Sequence, residues 1–176
     1  MRYVVMIAGM GGMGILTAGQ ILAEAGMQKY HHVTWFPSYD ARQRGGFSEC
    51  TVIISDKEIY SPVTLDLEAI IVMHVFQTAR FRDVVTPGAL VIAEKGCGFE
   101  RSDIKELEIP GEETANRLGS MLAANQVFLG AYVAASGYLP PEEVDAALER
   151  RYRDKEDVLS LNRRAFWEGV RLAGGS

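Results

Sequence analysis

The chain begins with an unbroken apolar run, Tyr3 to Ala8, of strand length and without the alternation of a half-exposed strand. Such a run suits a parallel strand covered on both faces. Glycines between Gly9 and Gly14 interrupt it. Ile15 to Ala25 then repeats at helical spacing, with Ile15, Gly19, Leu22 and Gly26 on one face. Val33 to Phe36 predicts a second strand ending at Pro37, and residues 38–46, SYDARQRGG, predict a polar loop. Ser48 to Ile54 predicts a third strand, with Glu58 to Tyr60 folding back on it as a hairpin across Ser55-Asp56-Lys57.

The pattern continues with a buried strand at Ala69 to Met73, a helix from Val75 to Val85 and a turn at Pro87-Gly88. A strand from Ala89 to Ala93 follows, then a loop over residues 96–103 and an edge strand from Ile104 to Ile109. Thereafter the period is helical: Thr114 to Leu118, Asn125 to Ser136, Pro141 to Tyr152, and a last segment carrying Val158, Leu161, Ala165, Gly169 and Leu172 on one stripe. Pro141 suits a first helical turn, and Glu142 and Glu143 suit its positive end. Strands alternate with helices early and helices gather late. The expectation is α/β: a Rossmann-like doubly wound sheet with C-terminal helices, a single domain over residues 1–176.

Composition changes this picture little, and what it removes is useful. A chain of 176 residues with 48% hydrophobic and 23% charged residues can bury about 70% of its unfolded surface. A net charge of −5 argues against a nucleic-acid partner that tracks phosphates. The N-terminal apolar run is too short for a signal segment or a membrane span, so no membrane partner is expected. Cys50 and Cys97 lack any paired spacing, which fits a reducing, cytoplasmic setting and leaves no cysteine-ligated cluster within the chain.

Two stretches carry candidate chemistry. Gly9-Met10-Gly11-Gly12-Met13-Gly14 fits GxGxxG between a predicted strand and a predicted helix. In that setting the first glycine permits the turn, the second admits a phosphate to the backbone, and the third lets helix and strand pack closely. Free N–H groups at the helix start offer an anion site. The acidic residue that a dinucleotide site needs about twenty residues on is absent, since the second strand ends in Trp35-Phe36-Pro37-Ser38 and Asp40 falls in the loop. A tight crossover, an anion or partner contact, and a dinucleotide site therefore all stay open. Tyr39-Asp40-Ala41-Arg42-Gln43-Arg44-Gly45-Gly46 is the second stretch. There Arg44 could supply a bidentate fork and the glycines an N–H nest, or the glycines could only relieve crowding. After the second strand of an open sheet, this loop is placed to share a crevice with the glycine-rich turn.

Nothing else assembles into a catalytic constellation. His31, His32 and His74 lack metal-ligand spacing, and no nucleophile elbow or Walker lysine occurs. Asp66 and Glu68 read as solvated residues before a strand, and Met6, Met10, Met13 and Met121 as packing. A nucleotide-type turn without chemical machinery suggests a subunit that serves an active site held elsewhere.

Three segments together resemble a known family. AGMGGMGILTAGQILAEAG, SYDARQRGGFSECTVIISDKEIYSP and NQVFLGAYV are similar to the gamma subunit of 2-oxoacid:ferredoxin (acceptor) oxidoreductases, from about residue 3 to Gly169. The resemblance implies a complex that oxidatively decarboxylates a 2-oxoacid, whether 2-oxoglutarate, a branched-chain 2-oxoacid or pyruvate, to acyl-CoA and passes electrons to ferredoxin. It implies thiamine diphosphate between alpha and beta subunits, iron–sulfur clusters on partner subunits including a ferredoxin-like one, and coenzyme A as co-substrate. This chain would hold no cofactor alone and be inactive alone. Its glycines Gly9, Gly11, Gly12 and Gly14 and the loop residues Tyr39, Arg44, Gly45 and Gly46 would shape the CoA side. Met13 departs from a glutamine common at that place, and Ala41 departs from the family's loop. Self-association through the partner patch is a further expectation. Two rival classes are a small NAD(P)-binding Rossmann protein and a purely structural assembly subunit.

Overall fold

Apolar strands that are buried on both faces need a layer on each side, and the computed structural model supplies them over residues 1–39, 45–63 and 66–174. Six strands are described: β1 (Arg2–Met10), β2 (His32–Tyr39), β3 (Phe47–Ser55), β4 (Leu67–Val72), β5 (Val85–Glu94) and β6 (Lys105–Ile109). They form one sheet in the order β2-β3-β1-β4-β5-β6. The helices are α1 (Ile15–Gly26), α2 (Val75–Phe81), α3 (Gly111–Leu118), α4 (Ala124–Ser136), α5 (Pro141–Tyr152) and α6 (Glu156–Leu172), with a 3₁₀ turn at Met121–Ala123.

The two sides of the sheet are visible in the alternation of its core. Val5, Ile7, Ile71 and Ile92 pack with α1, α4 and α6, while Ala8, Ile70, Val72, Val91 and Ala93 pack with Phe81 and Phe99 on the other face. The strands β1, β4, β5 and β6 run parallel. The α/β reading, with helices on both faces and helices gathered at the C-terminus, holds.

The sheet is mixed in one place. β3 pairs antiparallel with both β1 and β2, so it lies where a purely parallel sheet would place its second strand. The segment Glu58–Tyr60 is not a strand; β3 finds its partners on both sides in β1 and β2 and needs no hairpin. β2 also runs past Pro37 to Tyr39. Proline lacks an N–H, and it is tolerated because β2 is the edge strand. The helix expected over residues 75–85 stops at Phe81, and Val85 instead begins β5 opposite Leu67.

Glycines decide how closely the helices approach. A Cβ on Gly19 of α1 would meet the Cys50 Sγ and the Trp35 indole, so α1 lies directly on β2 and β3. Between α4 and α6 the contact is backbone on backbone: a Cβ on Gly130 would strike the Phe166 carbonyl oxygen, and one on Gly169 the Val127 carbonyl oxygen. This crossing fixes α4, whose residues 124–133 are all buried, against the sheet. α4 in turn holds one wall of the site described next.

Candidate functional site

In an open α/β sheet, ligands gather at the carboxyl ends of the parallel strands. That edge here carries the end of β1, the glycine-rich turn and the start of α1. Gly12 and Gly14 have positive φ, 93° and 73°, which only glycine adopts readily. Gly14 is the N-cap of α1, and no side chain caps this end, so its first-turn N–H groups receive no side-chain acceptor. The Asn125 Nδ2 of α4 donates to the Gly14 carbonyl at 2.9 Å. The third glycine thus makes room for Asn125 rather than for a strand. Gly9 has no positive φ; a Cβ there would press on Ile15, so its role is packing.

The glycine-rich turn and the arginine–glycine loop do meet. The Gly11 N–H donates to the Gly46 carbonyl at 2.8 Å, and a Cβ on Gly11 would lie 3.4 Å from the Gly45 Cα. Sheet register explains the meeting. Met10 stands opposite Phe47, and Ser48 stands opposite Tyr39, so the chain leaves β2 and enters β3 at the edge where the turn sits. Gly45 is left-handed, with φ 76°. Of the eight expected site residues, Gly9, Gly11, Gly12, Gly14, Gly45 and Gly46 are gathered here, and Tyr39 is placed by its backbone at the end of β2. Arg44, with residues 40–43, lies outside the described residues.

A crevice of about 410 Å³ opens at this junction, within the range of small-ligand sites. Met10, Met13, Gly45, Met73, Met121 and Leu122 form much of its wall, with His74 and Glu112 as its ionisable members. Met10, Met13 and Met121 therefore face a cavity as well as packing. No lysine or arginine lines it among the described residues. The adaptable thioethers suit an apolar chain or a partner's side chain better than a phosphate. Two of its wall residues are exposed apolar side chains, Leu122 at 77% and Met121 at 53%, and Val75 and Phe76, which follow the lining residue His74, are exposed as well. Exposed large apolar side chains gathered beside a crevice are a mark of interaction sites.

Two supporting residues carry no signal of their role in the sequence. Gln77 of α2 is fully buried; its Nε2 donates to the Gly9 carbonyl at 2.8 Å, and its Oε1 accepts from the Arg80 guanidinium at 3.0 Å. Arg80 also pairs with Glu49 of β3 and lies over the Phe47 ring at 4.5 Å. Asn125 was visible only as a polar position leading an apolar helix, a placement that does call for a partner. His74 caps α2, its Nδ1 accepting from the Phe76 N–H at 3.3 Å. Cys50 is buried under α1, and burial pushes its thiol up to about 12. Among the described residues no group of His, Cys, Asp or Glu is placed to hold a metal ion, and no helix is long and apolar enough to cross a membrane.

These features define a class: an α/β domain whose glycine-rich turn and partner loop build a largely apolar crevice at the carboxyl edge of its sheet. Residues 4–172 match the family model described as pyruvate ferredoxin/flavodoxin oxidoreductase, and the chain belongs to that family. It is 32% identical to the 2-oxoglutarate synthase subunit KorC of Archaeoglobus fulgidus, over 96% of this chain and 88% of that protein. It is 30% identical to the ketoisovalerate oxidoreductase subunit VorA of Methanothermobacter thermautotrophicus, over 96% of this chain but only 36% of that longer protein. Among solved structures, the gamma subunit of a keto/oxoacid ferredoxin oxidoreductase from Geobacter sulfurreducens superimposes with a TM-score of 0.82 at 27% identity, covering 97% of this chain and 98% of that one. The fold is also shared, at a TM-score of 0.89 and 24% identity, with 31% of a chain of the 2-oxoglutarate:ferredoxin oxidoreductase from Magnetococcus marinus, a structure with 2-oxoglutarate, coenzyme A and succinyl-CoA bound; 98% of the present chain is covered. The chain spans about a third of the length of the VorA protein it matches and nearly the whole of the Geobacter sulfurreducens gamma subunit.

Proposed function

We propose that this chain, read over residues 1–176 as one gamma domain, is the non-catalytic subunit that shapes the CoA side of a 2-oxoacid:ferredoxin oxidoreductase and holds its assembly. The complex would oxidatively decarboxylate 2-oxoglutarate, a branched-chain 2-oxoacid or pyruvate to acyl-CoA. The observation that carries the reading is the Gly11–Gly46 hydrogen bond, which joins the glycine-rich turn and the arginine–glycine loop at one crevice. The apolar wall suits the extended arm and thioester end of an acyl-CoA, and Arg42 and Arg44, which precede the lining residue Gly45 in sequence, are the cations assigned to its phosphates. Tyr39, Arg44 and the glycines of both stretches are the residues assigned to this side.

Thiamine diphosphate and the iron–sulfur clusters belong, in this reading, to alpha, beta and ferredoxin-like partners in the cytoplasm. Thiamine diphosphate, when bound there, supplies the carbanion chemistry of decarboxylation. What this chain contributes is an apolar wall and a turn whose Gly14 and Gly9 carbonyls are held from behind by Asn125 and Gln77. The rival NAD(P) reading fares worse, because β3 stands between β1 and β2 and moves the end of β2 away from the turn. A purely structural role is the competitor that experiment must separate.

The experiment is reconstitution with the thiamine-binding subunits, comparing wild type with Arg44→Ala in melting temperature and CoA dependence. A surface change moves stability within about 0.5 kcal/mol, whereas loss of a charge-assisted contact removes about 1.5–3 kcal/mol, roughly a ten- to hundredfold loss of affinity. A normal melt with a raised KM for CoA supports the reading. An unchanged KM in a normally assembled complex leaves only the structural role. The isolated chain should show no turnover with 2-oxoacid, CoA and a dye acceptor.

A further inference from the structure

The opposite edge of the sheet holds a second cavity, of about 210 Å³, that the proposed function does not use. It lies at the amino ends of the four parallel strands, where Tyr3 of β1, Glu68 of β4 and Lys105 of β6 reach one space under the last turn of α4. Tyr132 and Ser136 of α4 and Tyr138 beyond it close the other side. Tyr3 and Tyr138 stack with centroids 4.4 Å apart, and Tyr132 meets the Tyr138 ring edge-on at 5.9 Å.

Three features of this cavity are left without use by the fold. The Tyr138 hydroxyl is buried against the Tyr132 hydroxyl without a well-formed hydrogen bond, which is an unfavourable arrangement for a wall that nothing touches. Burial holds that phenol well above its ordinary range, so it stays a donor at neutral pH. Glu68 and Lys105 line the same cavity yet form no ion pair among the described residues. The carboxyl end of α4, closed by Gly137 with φ 68°, adds partial negative charge beside them.

We propose that this cavity binds a free α-amino acid as its zwitterion. The ammonium sits between Glu68, the carboxyl end of α4 and the faces of the tyrosine rings, where cation–π attraction adds to the charge pairing. The carboxylate pairs with Lys105, and the side chain lies along the rings. Size supports the choice, since the volume falls below the roughly 300–1,000 Å³ of sites for drug-sized ligands. Charge supports it too: a single anionic or cationic ligand would leave either Glu68 or Lys105 facing a like charge. The inference does not depend on the function proposed above, because the cavity and the glycine-rich turn occupy opposite edges of the sheet.

Isothermal titration of the purified chain with L-leucine, L-phenylalanine and L-glutamate tests this, with isopentylamine and 4-methyl-2-oxopentanoate as probes lacking one charge. Saturable binding of at least one amino acid is expected, at least tenfold tighter than either single-charge probe. Lys105→Met and Glu68→Gln, both exposed positions, should each weaken it at least tenfold while the melting temperature of the free chain stays within about 2 °C. No saturation by any of the three up to about 50 mM would overturn the proposal. So would equal binding of the amine or the oxoacid, or amino-acid binding that both variants leave unchanged.

Discussion

Removing Gln77 tests whether the glycine-rich turn is held from behind or only shaped by its own glycines. The parallel pairing of β1 with β4 ends at Ala8 and Val72, and the Met73 N–H takes the Ala8 carbonyl. The Gly9 carbonyl turns the other way, toward Ser48 of β3, and it is buried; the Gln77 amide gives it a second donor from 68 residues away. Gln77→Ala removes this second donor, a hydrogen bond worth about 0.5–1.5 kcal/mol, and removes packing worth roughly another 1 kcal/mol. For a domain of this size each kcal/mol lowers the melting temperature by about 2–4 °C, so a drop of roughly 3–10 °C is expected. Gln77→Leu restores the volume but not the donor, and should recover only the packing share. Arg80→Ala removes the exposed arm of the same network and should cost no more than about 1 kcal/mol. Thermal and urea melts of the three variants measure this. If Gln77→Ala and Gln77→Leu both melt within about 2 °C of wild type, the Gly9 carbonyl does not depend on Gln77 and the reasoning fails.

Gly169→Ala places a methyl group against the Val127 carbonyl at the α4–α6 crossing, and should lower stability by several kcal/mol or abolish soluble expression; a melt within about 2 °C of wild type would contradict the backbone contact. Gly14→Ala combines a left-handed backbone with the Asn125 side chain in the way, for a loss of about 2–3 kcal/mol, and a Gly14→Ala/Asn125→Ala pair should recover part of it by urea titration. Cys50, with its thiol pushed up to about 12 by burial, should resist a thiol reagent at pH 8 in the folded chain and react only on unfolding. The same shift has a sign in the pH profile: the unfolded thiol ionises near its ordinary value of 9.0 while the folded one stays protonated. Stability then falls as pH rises from about 9 toward 12, by at most about 1.4 kcal/mol per pH unit, and Cys50→Ala should flatten that limb of the urea-melt profile.

The parts of the site that were legible in the sequence are those set by neighbours in the chain. A glycine-rich break between an apolar strand and a helical period is a local event, and the turn appears where GxGxxG stood, with α1 showing Ile15, Gly19, Leu22 and Gly26 inward. The order of strands was not legible, because hydrophobic pattern marks a strand but not its direction. Val33–Phe36 looks the same whether it pairs with β1 or stands two places away, and only the register Tyr39–Ser48 and Phe47–Met10 shows the latter. That long-range pairing explains two outcomes at once. It denies the turn a ribose-binding acid at the end of a neighbouring second strand, and it brings Gly45 and Gly46 against Gly11. Gln77 was hidden for the same reason: a lone glutamine in a short helix has no local mark that its partner is the Gly9 carbonyl. Asn125 came nearer to being readable, since an amide heading the buried run from Val127 to Val133 has to find a partner, and the sequence could not say that the partner is Gly14. The crevice is thus built from locally specified glycines and from two distant amides that orient them. For this reason the amides, more than the glycines, are where substitution should separate a folded turn from a positioned one.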